Sequence, residues 1–190
     1  MIDPLEERLN KIPQRLTDRG FLKGGGIGNE LAFYIFDYPA EEELRIREHI
    51  PFLLTHLGKT HPALRIIHLN LFEFVVDLLK ERDFLTKSFA KQKAQGDAAL
   101  IKSLTSSLDP DKLAPAVAKA VSPGSHDVVI ISGAGSVWPM VRTHGVLSSL
   151  QRHMGYTPTV FFYPGIYDGQ SLRLFGKLKS NYYRAFKLVP

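Results

Sequence analysis

The sequence predicts an α/β protein of three layers, with helices on both faces of a mostly parallel sheet of about five strands. Short apolar runs of strand length (LAFYIFDY, ALRIIHLNL, VVII and TVFFY) alternate with segments of helical period. That alternation is the mark of a parallel sheet covered on both faces. The clearest unit runs from His126 to Gly169, where two apolar runs flank a helix-period segment and each strand ends in a glycine-bearing turn, GAG and PGIYDG. Right-handed crossovers make a doubly wound or P-loop-like sandwich the natural topology. Ligands and partners gather at the carboxyl ends of strands in such sheets, so both turns are expected to face whatever the protein binds.

The elements follow in the order β-α-β-α-α-β-α-β-α-β, preceded by a helical segment over residues 3–19. There Leu5, Leu9, Ile12 and Leu16 are helically spaced, Asp3 is a natural N-cap and Pro4 suits the first helical position. Pro13 is expected to kink or split this segment, and Gly20 to stop it. The glycines of FLKGGGIG read as a flexible lead into the first strand. A phosphate loop needs strand, loop and helix in that order, ending in Gly-Lys-Ser/Thr, and this stretch has neither.

After Asp37-Tyr38-Pro39 comes a helix whose acidic first turn (Glu41, Glu42, Glu43) suits the helix dipole. Leu44, Ile46, Ile50, Leu53, Leu54 and Leu57 form its apolar face, and Pro51 marks a bend or break. Asn70 stands between the second strand and an amphipathic helix, which it can cap. Residues 86–122 read as two or three short polar helices. A short helix at about 170–178, capped by Asp168, and a last strand, YYRAFKLV, complete the set. The whole of 1–190 reads as one domain.

Composition narrows the function. The chain has 190 residues, 44% hydrophobic, so it can bury a sizeable core. It has no cysteine, which removes disulfides, thiol catalysis and cysteine metal sites. No apolar run is of membrane-spanning length and no signal core is visible, so a cytoplasmic protein without a membrane role is expected. The net charge of +5 is carried entirely by residues 126–190, with seven Lys/Arg against Asp127 and Asp168. A basic end of this kind attracts an acidic protein surface or nucleic acid, or is simply a solvated face.

Few residues form a recognisable chemical constellation. Ser132-Gly133-Ala134-Gly135-Ser136 has the strand-to-helix context of an anion site but lacks a third spaced glycine and a lysine. A tight turn is the better reading, and neither serine sits in a nucleophile elbow. The seven histidines show no HExxH pattern, so neither a metal nor another cofactor is expected. Asp37 is the best isolated acid, although a strand-end aspartate usually serves a turn or cap. Arg142, His144, Arg152 and His153 fall on the helix after the GAG turn. Arg142 lies in its first turn, where the dipole disfavours a cation, which implies a partner inside or outside the fold. The aromatic clusters FFYPGIY and NYYRAF, interleaved with Arg173, Lys177 and Arg184, are core residues or a stacking surface for single strands.

Longer stretches carry a resemblance. GIGNELAFYIFDYPAEEELRIREHI, IIHLNLFEFVVDLLKER, ISGAGSVWPMVRTHGVLSSLQ and PTVFFYPGIYDGQSLRLFGKLKSNYYRAF together resemble the BrxB family of BREX (bacteriophage exclusion) defence systems. The likeness spans nearly the whole chain and is weakest over 86–122. Its most specific parts are Gly133, Gly135, Pro139, Arg142 and His144, and the FYPG-x-Y-x-G segment ending in YYRAF. The resemblance implies a small accessory protein encoded with a large ATPase (BrxC), an adenine-specific DNA methyltransferase (PglX) and a phosphatase-superfamily protein (PglZ). Such systems methylate host DNA and block phage replication. The element order also resembles AAA-type ATPase cores, here a P-loop/AAA-like core without a Walker A motif. The resemblance brings no catalytic residues. The expected role is therefore a non-enzymatic assembly component docking PglZ or BrxC. Arg142, His144, Tyr167, Arg173 and Tyr183 are the expected contact or contact-supporting residues. The alternatives are a nucleic-acid-binding module using the basic last third and a degenerate nucleotide-binding domain.

Overall fold

The structure, a computed structural model, describes residues 3–24 and 32–190, without the side chains of 179–182. The glycine-rich stretch before the first strand lies mostly outside the described residues. Helix α1 (Pro4–Leu16) starts as the sequence indicates, with the Asp3 carboxylate accepting a hydrogen bond from the Leu5 amide. Pro13 falls in its last turn and does not end it. Asp18 caps a separate short helix, α2 (Arg19–Leu22), which passes through Gly20.

Strand β1 (Phe33–Tyr38) leads through one 3-10 turn into α3 (Glu43–Thr60), which runs on through Pro51. Its buried face is Ile46, Ile50, Leu53 and Leu57, whereas Leu44 is 71% exposed. After β2 (Ile66–Asn70), the Asn70 side chain accepts the amides of Phe72 and Glu73 and caps α4 (Leu71–Glu81). Helices α5 (Phe84–Ser107) and α6 (Pro110–Val121) follow, with α5 interrupted at Gly96 (φ +79°). Then come β3 (Val128–Ser132), α7 (Thr143–Met154) and β4 (Thr159–Tyr167).

The principal sheet has the order β2-β3-β4-β1-β7, where β7 is Phe186–Lys187, and every neighbouring pair is parallel. Ile35 and Ile131 both align with Phe161, which fixes the register across the three central strands. Helices α1, α2 and α3 cover one face through Tyr34, Phe36, Val128, Ile130, Val160 and Phe162. Helices α4 to α7 cover the other, through Phe33, Ile35, Val129, Ile131, Phe161 and Tyr163. The expected three-layer α/β sandwich is thus observed.

The segment expected to be a helix at 170–178 is instead a hairpin, β5 (Ser171–Leu174) and β6 (Leu178–Tyr182), continuing antiparallel from the end of β4. Its burial alternates with period two, Leu172 and Leu174 inside and Ser171 and Arg173 half-buried. Phe175 (φ +55°) and Gly176 (φ +69°) make the turn. Asp168 caps no helix: its carboxylate accepts the amides of Gln170 and Ser171 and the Ser171 hydroxyl, which turns the chain into β5. The expected last strand is likewise divided, because Tyr182 belongs to β6 and only Phe186 and Lys187 join the principal sheet.

One carboxylate gathers these parts. Asp37, 7% exposed at the end of β1, accepts Arg8 Nη2 at 2.7 Å and the Tyr167 amide at 3.0 Å, with Lys187 Nζ at 3.6 Å. Arg8 also donates to the Asp37 carbonyl at 2.7 Å and to the Val189 carbonyl at 3.3 Å, and its guanidinium lies 4.7 Å from the Phe36 ring centre. The isolated acid of the sequence is therefore a structural clamp. Removing one partner of a buried pair strands the other, so Asp37→Ala should cost about 3–5 kcal/mol in urea unfolding. Lys187→Ala, at a longer and more exposed contact, should cost less than about 1 kcal/mol.

The Asp168 turn supplies a pH test. Its three hydrogen bonds lower the carboxyl pKa from 3.8 to about 2, the Ser171 hydroxyl contributing most. A group depressed in the folded state stabilises above its unfolded pKa and ceases to do so as pH falls through the folded one. The Tm gap between wild type and Asp168→Ala should be constant from neutral pH down to about pH 5, then shrink towards pH 2.

Candidate docking face at the carboxyl ends of the strands

The crossovers from β2 to β3 and from β3 to β4 pass over the α4–α7 face, and the one from β1 to β2 passes through α3 on the other. The connections therefore part between β1 and β4, and this is where an open α/β sheet has its ligand crevice. Here the chain fills that place with its own residues. A Cβ on Gly135 would lie 2.8 Å from Pro164 Cγ and 3.1 Å from Phe175 Cε1, so the hairpin tip and the end of β4 press on the GAG turn. Gly133 (φ +75°) is similarly obliged, since a Cβ there would collide with the Asn70 cap. Both glycines answer to packing, and the tight-turn reading of the GAG segment fits.

Side chains bind the strand ends to one another. His68 Nε2 and Ser132 Oγ are 2.8 Å apart. Arg47 reaches from α3 to donate to Ser136 Oγ at 2.8 Å and to Glu43 Oε1 at 2.9 Å. The Tyr38 hydroxyl donates to Glu43 Oε2 at 2.6 Å, so the first helical turn beyond β1 holds a carboxylate. What remains of the crevice is a cavity of about 220 Å³ lined by Ala40, Glu43, Gly135, Ser136, Pro164 and Phe175.

Outside this plug lies an apolar and basic surface. Trp138 is 46% exposed, Ile166 44% and Leu178 39%. Trp138 meets Phe175 edge to face, with ring centres 6.0 Å apart, and shares a cleft with Leu178. Ile166 is opposite Arg173 across the β4–β5 pair.

The five residues singled out from the sequence are not equivalent. Arg142 is exposed and is the N-cap residue of α7, just before the first turn in which it is expected, because residues 134–140 form turns. His144 is half-buried, and burial, then Arg142, hold its pKa below the ordinary imidazole value. Both line the Trp138 cleft. Arg173 is half-buried on β5. Tyr167 and Tyr183 are buried. The Tyr167 hydroxyl donates to the Ala185 carbonyl at 2.6 Å and accepts the Ala185 amide at 3.2 Å, pinning the segment before β7. Burial pushes the Tyr183 phenol well above the usual tyrosine range. Being buried, neither offers a surface to a partner. Elsewhere the basic third is partly neutralised, Arg152 by Asp111 at 2.7 Å and Lys187 by Asp37.

Trp138, Tyr163, Ile166 and Leu178 are not marked by any sequence motif. Trp138 leaves one signal, a lone tryptophan in a Gly/Pro-bearing turn outside any periodic pattern. Ile166 falls in the PGIYDG turn expected to face a ligand or partner, Tyr163 in the apolar strand before it, and Leu178 where a helix is expected.

Gly135→Ala would overpack the plug and should cost about 1–3 kcal/mol. Loss of the near-UV signal of the Trp138–Phe175 pair, alongside the lowered stability, would report that the hairpin tip has moved.

The family model described as "BREX protein BrxB" matches residues 67–188. The chain is 45% identical over 192 residues to a "BREX protein BrxB" of Escherichia coli O9:H4 (strain HS), covering 100% of this chain and 94% of that one. It is 36% identical over 190 residues to a "BREX protein BrxB" of Bacillus cereus (strain H3081.97), covering 97% of each. No solved structure matches. The chain belongs to the BrxB family of BREX phage-defence proteins.

Proposed function

We propose that this chain is a docking component of a BREX complex, without a catalytic step of its own, which engages PglZ or BrxC in host DNA methylation and phage exclusion. The observation that carries this reading is the exposed apolar pair Trp138 and Leu178 sharing a cleft with Arg142, with Ile166 exposed beside Arg173 on the other face of the hairpin, all at the end of the sheet where ligands gather. Aromatic and arginine side chains are the groups enriched at protein interfaces, and contiguous exposed apolar area marks such sites. The filling of the switch-point crevice by Pro164 and Phe175 favours a protein partner over a nucleotide. No helix among the described residues is long and apolar enough to cross a membrane.

Size-exclusion co-elution with PglZ and with BrxC, each separately, tests this. Wild type should co-elute with one of them, and folded Ile166→Glu and Arg173→Glu variants should bind it at least about tenfold more weakly, as for central interface residues. No co-elution with either protein would refute docking. Salt-dependent DNA retention by the isolated chain, weakened in Arg173→Glu, would favour the nucleic-acid reading instead.

A further inference from the structure

The cleft beneath Trp138 has a composition that the docking role does not by itself require. It measures about 270 Å³ and is lined by Trp138, Arg142, Thr143, His144, Tyr163, Leu174 and Leu178. This is below the roughly 300–1,000 Å³ of a small-molecule pocket and suits a single side chain. Its wall includes the start of α7, a twelve-residue helix whose N-cap residue, Arg142, offers no side-chain acceptor. The Gly145 and Val146 amides donate to the Arg142 carbonyl, which leaves the Thr143 and His144 amides for another acceptor, and the helix dipole favours a negative charge there.

A second and independent observation points to the same ligand. Tyr163 lines this cleft, is only 2% exposed, and its hydroxyl has no hydrogen-bond partner among the described residues. The ring is buried while the hydroxyl opens on the cleft with its donor unused, and burial alone raises this phenol's pKa, so at neutral pH it remains a donor. The Arg142 guanidinium likewise has no carboxylate partner among the described residues, and no Asp or Glu lines the cleft. The Thr143 hydroxyl, by contrast, is engaged with the Ala134 carbonyl at 3.0 Å. With the His144 pKa lowered, Arg142 is the one full charge in the lining.

We propose that this cleft binds one carboxylate side chain of a partner protein, held by Arg142, the Tyr163 hydroxyl and the first amides of α7, with an adjoining aliphatic residue packed on Trp138 and Leu178. A single cation matches one carboxylate better than a doubly charged phosphate, and the apolar floor selects an acidic residue with an apolar neighbour. The proposal rests on the docking reading and supplies the partner's chemistry at this site.

The chain has one tryptophan, so intrinsic fluorescence reports on the cleft wall directly. The probes are the acetylated, amidated tripeptide Leu-Glu-Leu, its Leu-Gln-Leu counterpart and inorganic phosphate. The Glu peptide should give a saturable change below about 10 mM, and the Gln peptide and phosphate should bind roughly ten- to a hundredfold more weakly, the range for a charge-assisted hydrogen bond. Arg142→Gln should weaken the Glu peptide by a similar factor and Tyr163→Phe by several-fold, with both variants checked for an unchanged melt. Equal response to the Glu and Gln peptides, tighter binding of phosphate, no response, or wild-type affinity in Arg142→Gln would each overturn the carboxylate site. Docking itself stands or falls separately, on the co-elution of the whole proteins.

Discussion

The Asp37 carboxylate is the contact on which the rest of the arrangement depends. It stands where β1 ends, and its two oxygens reach α1 through Arg8, the far end of β4 through the Tyr167 amide, and β7 through Lys187. These segments are distant in sequence, and no backbone ladder could join them all. A charge so nearly buried is tolerable because both its oxygens are occupied and the two terminal nitrogens of its cation also donate to carbonyls, although the buried Arg8 Nε has no acceptor. The direction in which the chain leaves β4 is set here, and with it the position of the hairpin.

From that direction follows the character of the proposed docking face. The hairpin folds back across the sheet's carboxyl end, and Phe175 and Pro164 settle against a glycine that leaves them room. A crevice that could have received a small ligand becomes the foundation of a protein surface. Trp138 and Leu178, exposed around one cleft, and Ile166, exposed on the hairpin's other face, stand on packed elements, so a partner at the proposed site would find little ordering left to do. Tyr167 adds to that rigidity by fixing Ala185 to the end of β4.

Much of this can be read in the residues. Strands β1, β3 and β4 are apolar on both faces, so their runs are continuous and their place in a parallel sheet is unambiguous. Caps such as Asp3 and Asn70 are local, each joining a side chain to an amide two or three residues on. The hairpin is not legible, because QSLRLFGKL is short and its leucines suit either period. What decides it is the pairing of Ile166 with Arg173 and of Arg173 with Lys179, which no local pattern announces. Asp37 is visible as an isolated acid, but its partners lie 29, 130 and 150 positions away, and sequence spacing says nothing of that. For the proposed docking face, Arg142 is legible through its conflict with the helix dipole, whereas Tyr163 is hidden among the core aromatics of β4.

That conflict at position 142 has a consequence for how the sequence can drift. An arginine in the capping position is a poor choice for α7 as a helix, where serine, threonine, aspartate or asparagine would satisfy an amide and suit the dipole. Selection for robustness alone would replace it, and several replacements are available that the fold would welcome. Position 142 is therefore a point of local frustration, where the best residue for folding and the residue present differ. A library of variants enriched for thermal resistance would lose this arginine early, whereas the proposed carboxylate site would require its retention.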